Sequence, residues 1–146
     1  MEIYFSKLSD WRIPRKFIES WLNDTAKLLK KEAGHDIRKK EITLAFVTAK
    51  QIKKLNQDFR SKPKVTDILS FSGFTDRELG ELVILGKIVD QQAKEHNLSK
   101  NEELGYLLIH GVLHLLGYEH EKGGKAAKEM FELQDHLFDV LRKKYF

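Results

Sequence analysis

Apolar positions along the chain recur at two periods, and the switches between them mark out the elements. Glu2-Ile3-Tyr4-Phe5 reads as a short strand. Phe17, Ile18, Trp21, Leu22, Leu28 and Leu29, with Thr25 among them, then follow at three- and four-residue spacing, the stripe of an amphipathic helix. Pro14 suits the first helical position, where no N–H is needed, and Gly34 offers a left-handed stop. A helix over residues 14–33 is predicted. Residues 41–47 read as a strand, and Thr48 caps a helix of about ten residues with Ile52 and Leu55 inward. Residues 60–66 read as a basic loop broken by Pro63. Residues 67–71 and 79–85 are strands joined by a turn that opens at Gly73, and residues 87–96 are helical. Ser99 and Glu102 form a capping box ahead of a helix that reaches Gly117, and a last helix covers 124–143. The order β-α-β-α-β-β-α-α-α predicts an α+β fold, a small mixed sheet of about four strands packed with about five helices.

Composition narrows the classes. A chain of 146 residues is one domain's worth, so a single domain over 1–146 is expected. The absence of cysteine excludes disulfides, thiolate zinc sites, iron–sulfur clusters and a cysteine nucleophile. The longest apolar run, Tyr106 to Tyr118, holds two histidines and falls short of the about 20 residues of a bilayer span. Met1-Glu2-Ile3-Tyr4 lacks the features of a signal peptide. A soluble, cytoplasmic protein with no membrane partner is expected.

Charge is unevenly spread. Residues 1–64 carry 16 Lys+Arg against 8 Asp+Glu, and residues 65–146 carry 10 against 14, within a net charge of +4. A basic half suits a polyanion. Arg60, Lys62 and Lys64 cluster in the predicted loop, with Lys50, Lys53 and Lys54 on the helix before it.

The chemistry concentrates in His110-Gly111-Val112-Leu113-His114-Leu115-Leu116-Gly117-Tyr118-Glu119-His120. His110 and His114 stand four apart on a predicted helix, so both rings leave one face a turn apart. Gly117 can end the helix with positive φ and let His120 return to the same point. Three imidazoles with a fourth position open are the arrangement of a catalytic zinc site. The spacing equals that of the metzincin proteases, but Gly111 stands where their glutamate base belongs. Glu119, beside a ligand, and Glu103, on the face of His110, are candidates for orienting the rings. His35, His96 and His136 lack such company; Tyr106, Tyr118 and Phe74 offer rings that can stack on a planar group, but core packing is the expected fate of each. With neither G-x-G-x-x-G nor a Walker A sequence, no nucleotide cofactor is expected.

These residues resemble the YbeY family of bacterial endoribonucleases. His110-Gly111-x-x-His114-Leu115-x-Gly117-Tyr118-x-His120 is similar to its zinc signature, Leu55-Asn56-x-x-Phe59-Arg60 with Thr66-Asp67-Ile68-Leu69-Ser70-Phe71 to a second block, and Leu79-Gly80-Glu81-Leu82-Val83-Ile84 to a third. Glu81 and Glu119 stand where the family usually has aspartate, and Ser72 where proline often follows. The resemblance implies a zincin-like site with one Zn²⁺ per chain on His110, His114 and His120. It implies a role in activity for Arg60, and RNA contact by Arg60, Lys62, Lys64, Lys53 and Lys54. It further implies cleavage of single-stranded RNA in rRNA maturation, late processing of the 3′ end of small-subunit rRNA and ribosome quality control, with an rRNA precursor and the ribosome or its proteins as partners. Two other readings stay open: a ribosome-associated RNA-binding factor with a structural metal, and a metzincin-like metalloprotease.

Overall fold

A computed structural model describes all of residues 1–146. The elements run β1 (Glu2–Lys7), α1 (Arg15–Ala33), β2 (Glu41–Val47), α2 (Ala49–Arg60), β3 (Ile68–Ser72), β4 (Glu78–Leu85), α3 (Gly86–Glu95), α4 (Lys100–Leu115) and α5 (Gly124–Tyr145). This is the predicted order. No helix is long and apolar enough to cross a membrane.

The sheet has the strand order β1-β2-β4-β3, with β1–β2 and β2–β4 parallel and β3 antiparallel to β4. Parallel neighbours need crossovers, which α1 and α2 supply. Ile42, Leu44, Phe46, Leu82 and Ile84 point to one face, where they share a core with Trp21, Leu29, Leu108, Val112 and Leu137 of α1, α4 and α5. Ala45, Val47, Leu69, Val83 and Leu85 point to the other, where they meet Ile52 and Leu55 of α2. That second face is only partly covered: Glu41, Thr43, Phe71 and Glu81 line an open hollow.

Local differences from the sequence expectation have local causes. β1 extends to Lys7 because its ladder with β2 continues to the Lys7–Phe46 pair. Pro14 is the residue just before α1, whose first helical residue is Arg15. The largest difference concerns Arg60. It is the last residue of α2 and not part of the loop, because Ser61 takes the left-handed conformation (φ 54°) and its N–H bonds the Gln57 carbonyl (3.1 Å). Arg60 is thereby held by a helix, and the loop after it is tied back by the Asn56 amide, which donates to the Lys64 carbonyl (3.0 Å). Phe74, expected in the core, lies on the β3–β4 turn and is 98% exposed.

α4 carries the histidines and is the most firmly anchored helix. Its Ser99–Glu102 capping box forms as expected. Leu104, Leu108, Ile109, Val112 and Leu113 are almost wholly buried, each contributing about 1.5–3 kcal/mol by removal from water. Trp21 of α1 donates its indole N–H to the Gly105 carbonyl (2.9 Å), which fixes the helix along its length.

Candidate metal centre

The last two turns of α4 and the chain that follows them build the centre. Leu116 ends the helix and Gly117, with φ +97°, reverses it. The Tyr118 N–H bonds the Leu113 carbonyl and the Gly117 N–H bonds the His114 carbonyl, both at 3.0 Å, which is the Schellman pattern. This turn does two things. It sends His120 back towards α4, and it aims the Tyr118 carbonyl at the His114 ring.

The ligand-capable nitrogens of His110, His114 and His120 all lie within 4.8 Å of one another, and no fourth side chain joins them. The ring centroids of the three pairs are 4.6, 5.1 and 5.0 Å apart. Their hydrogen bonds decide which nitrogen is free. His110 Nδ1 donates to Gln134 Oε1 (2.8 Å) and His114 Nδ1 donates to the Tyr118 carbonyl (3.1 Å). Both acceptors can only accept, so the ring proton sits on Nδ1 and the lone pair on Nε2. Those two Nε2 atoms face each other at 3.1 Å. Two lone pairs so close repel unless a cation lies between them. Two nitrogens at tetrahedral zinc stand about 3.4 Å apart, so the spacing fits the ion closely. Burial and the neighbouring rings hold the pKa of His110 and His114 below the ordinary imidazole value, which keeps the neutral, ligating form. The negative end of α4 also favours a cation there.

Gln134 had no place in the sequence reading. It stands on α5 and is 1% exposed among Met130, Leu137, Phe138 and Leu141. The signal was a lone amide in an otherwise apolar helical stripe, since buried polar groups need partners. Gln134→Leu is expected to weaken metal binding about 10- to 100-fold while preserving the fold, measured by titration of the apo-protein with zinc and by circular dichroism.

The carboxylates suggested for that orienting role sit elsewhere. Glu119 is exposed and bonds no imidazole; it borders a hollow beside His114 and Arg60. Glu103 is buried and accepts from His96 Nδ1 (2.8 Å), so it serves the junction of α3 and α4. Glu103 raises the pKa of His96, mainly through this hydrogen bond. The pair therefore stabilises the fold fully below the unfolded imidazole pKa, near 6.5, and loses that stabilisation as pH rises through the higher folded value. Thermal unfolding from pH 6 to 9 is expected to show a loss in Tm above about pH 7 that His96→Gln abolishes.

A cleft of about 470 Å³ opens in front of the three rings. It places Arg60, Lys62 and Lys64 together with Asp67, Ser70 and Glu121 around them. Arg60 reaches Glu121 at 3.7 Å and keeps the rest of its fork free. Lys53 and Lys54 are on the exposed surface of α2 and do not line the cleft. Asp67 and Glu121 were not foreseen as cleft residues. Asp67 was legible only as part of a motif, and its charge acts on His110 across space.

Gly111 has a packing explanation. A Cβ there would lie 2.8 Å from both Leu82 methyls and 2.9 Å from Ile68 Cδ1. The glycine lets α4 sit against β3 and β4, and this contact presses the histidine face against the cleft. A side chain at this position requires the Leu82 and Ile68 methyls to move.

Comparison with known proteins gives a consistent picture. The family described as "Endoribonuclease YbeY" matches residues 5–142. A protein of that name from Bdellovibrio bacteriovorus is 43% identical over 99% of this chain and 97% of its own. One from Persephonella marina is 38% identical over 96% of this chain and 91% of its own. The solution structure of a Thermotoga maritima protein superposes with a TM-score of 0.63 at 30% identity, covering 97% of this chain and 91% of that one.

Proposed function

Because the chain belongs to the YbeY endoribonuclease family, we propose that it cuts single-stranded RNA with a zinc ion held by His110, His114 and His120. The observation that carries this reading is a three-imidazole set with no fourth protein ligand, opening on a cleft lined by Arg60. A structural site would be closed by a fourth side chain. An ion bound there supplies Lewis acidity, which lowers the pKa of a water and polarises a phosphoryl oxygen. The protein's own groups do the rest. Arg60 presents a planar, permanently charged fork to the phosphodiester and stabilises the charge that grows on its oxygens. Lys62 and Lys64 draw the backbone in as point charges. Asp67 and Glu121 are the cleft carboxylates available to hold the proton of the attacking hydroxyl.

In the cell this reading makes the substrate an rRNA precursor, with late trimming of the small-subunit 3′ end and removal of defective ribosomes as the tasks. The family and the basic half of the chain support it, with ribosomal proteins as partners in the cytoplasm. The protease reading is disfavoured by the packing of Gly111.

Zinc-loaded protein incubated in parallel with unstructured RNA and with casein is expected to cut only the RNA. Arg60→Ala is expected to slow that cleavage by about 10²-fold or more, in proportion to a lost transition-state contact. Wild-type rates in Arg60→Ala would remove the arginine from the mechanism. Products ending in 2′,3′-cyclic phosphate would identify the neighbouring 2′-hydroxyl as nucleophile.

A further inference from the structure

Beside Arg60, which lines the cleft, the chain exposes apolar surface that the zinc chemistry does not use. Phe59, one residue before Arg60 on the last turn of α2, is 66% exposed. Its ring meets Phe71 of β3 edge-on, with centroids 5.3 Å apart at 76°. Phe71 lines the open hollow on the partly covered sheet face, and so does Phe74, 98% exposed on the β3–β4 turn. Three phenylalanines thus cluster around one end of β3, the edge strand.

This surface is continuous with the cleft. Ser70 lines the cleft in front of the imidazoles, the hollow beside Tyr118 and the hollow that holds Phe71 and Phe74. Arg60 borders the first two. The charges separate along the same path: Arg60, Lys62 and Lys64 stand at the cleft, while Glu41, Glu78 and Glu81 border the hollow with Phe71 and Phe74. A polyphosphate backbone is attracted to the first region and repelled by the second. A base can enter the second, because stacking on an aromatic ring needs no phosphate contact and carboxylates accept from base amino groups.

We propose that Phe59, supported edge-on by Phe71, is a stacking site for an unpaired base next to the scissile nucleotide, with the backbone turned towards Arg60. This rests on the endoribonuclease reading and adds to it a reason for single-strand preference. A base in a duplex is already stacked and cannot be turned onto Phe59. Phe74 serves as a second, outer platform.

The test uses zinc-loaded full-length protein and a single-stranded 2′-fluoro oligonucleotide, which lacks the 2′-hydroxyl, carrying 2-aminopurine as the fluorescent base. Wild-type protein is expected to bind it with quenching of the 2-aminopurine, and Phe59→Trp to retain both. Phe59→Ala is expected to bind about 5- to 150-fold more weakly with the quenching lost, the range for one stacked base. An oligonucleotide abasic at the quenched position is expected to bind wild type and Phe59→Ala alike. Phe59 is largely exposed, so circular dichroism of Phe59→Ala should match wild type. If wild type binds and Phe59→Ala binds and quenches equally, the stacking site is overturned and the nuclease reading stands. If wild type neither binds the oligonucleotide nor cuts RNA, the underlying reading fails as well.

Discussion

His114→Ala is expected to leave a folded protein that holds no zinc and cuts no RNA. His114 supplies one of the three nitrogens that could hold an ion, and nothing nearby replaces it, because Glu119 is exposed and Glu103 is committed to His96. Loss of the ion removes several kcal/mol of transition-state stabilisation, a fall in rate of more than about 10³-fold. The fold is a separate matter. The ring is only partly buried, and its protein partners are the Tyr118 carbonyl and His110. Deleting it costs about one hydrogen bond, roughly 1 kcal/mol, against a helix anchored by Leu108, Val112 and Leu113. Metal content by mass spectrometry, Tm and RNA cleavage should therefore part company: the first lost, the second near that of metal-free wild type, the third at background. The variant also controls for a trace contaminating nuclease. Equal cleavage by wild type and His114→Ala would mean that the activity belongs to another protein.

The second large effect is at Gly111. Introducing the glutamate of the metzincin motif is expected to destabilise the fold rather than create a protease. The Cβ alone would press on Leu82 and Ile68 closer than van der Waals contact allows. Leu82 is fully buried beneath α4, so its methyls can yield only by repacking against their neighbours. Overpacking of this kind costs about 1–3 kcal/mol. The carboxylate adds the cost of a charge at a buried helix–sheet contact with no cation facing it, bringing the total to about 4 kcal/mol or more. In a chain of this size that is a fall in Tm of roughly 10 °C or more. Gly111→Ala separates the two contributions. It carries the overpacking without the charge, partly offset by the better helix propensity of alanine, about 1 kcal/mol. Differential scanning calorimetry should place it between wild type and Gly111→Glu. A Gly111→Glu protein with wild-type Tm that hydrolyses casein would overturn both the packing argument and the preference for RNA over peptide.

The two expectations concern neighbouring residues and fail in different ways. Changing His114 removes function and spares the fold, since the ring faces the cleft. Changing Gly111 strains the fold first, since its missing side chain faces the sheet.

The sequence by itself determined whatever depends on local period and on spacing along the chain. The element order follows from apolar periodicity, and the capping box at Ser99 and the left-handed stop at Gly34 from side-chain chemistry within one turn. The convergence of His110, His114 and His120 belongs here too. A four-residue helical step and a glycine reversal are short-range geometry, fixed by about twenty backbone dihedrals between the outer ligands. What only the tertiary structure decided lies between residues far apart in the chain. Gln134 stands 24 residues from the ring it orients, and Glu103 is turned from the three imidazoles by the histidine that caps the preceding helix. By spacing alone Gly111 is a missing catalytic group; its packing against Leu82 and Ile68 exists only in the folded chain. Arg60, Asp67 and Glu121 come together at the imidazoles only because β3 is the edge strand and α2 ends beside it. Periodicity tells which face of an element is buried, but not which partner buries it. That choice is made by packing, which acts through space and leaves no fixed interval in the sequence.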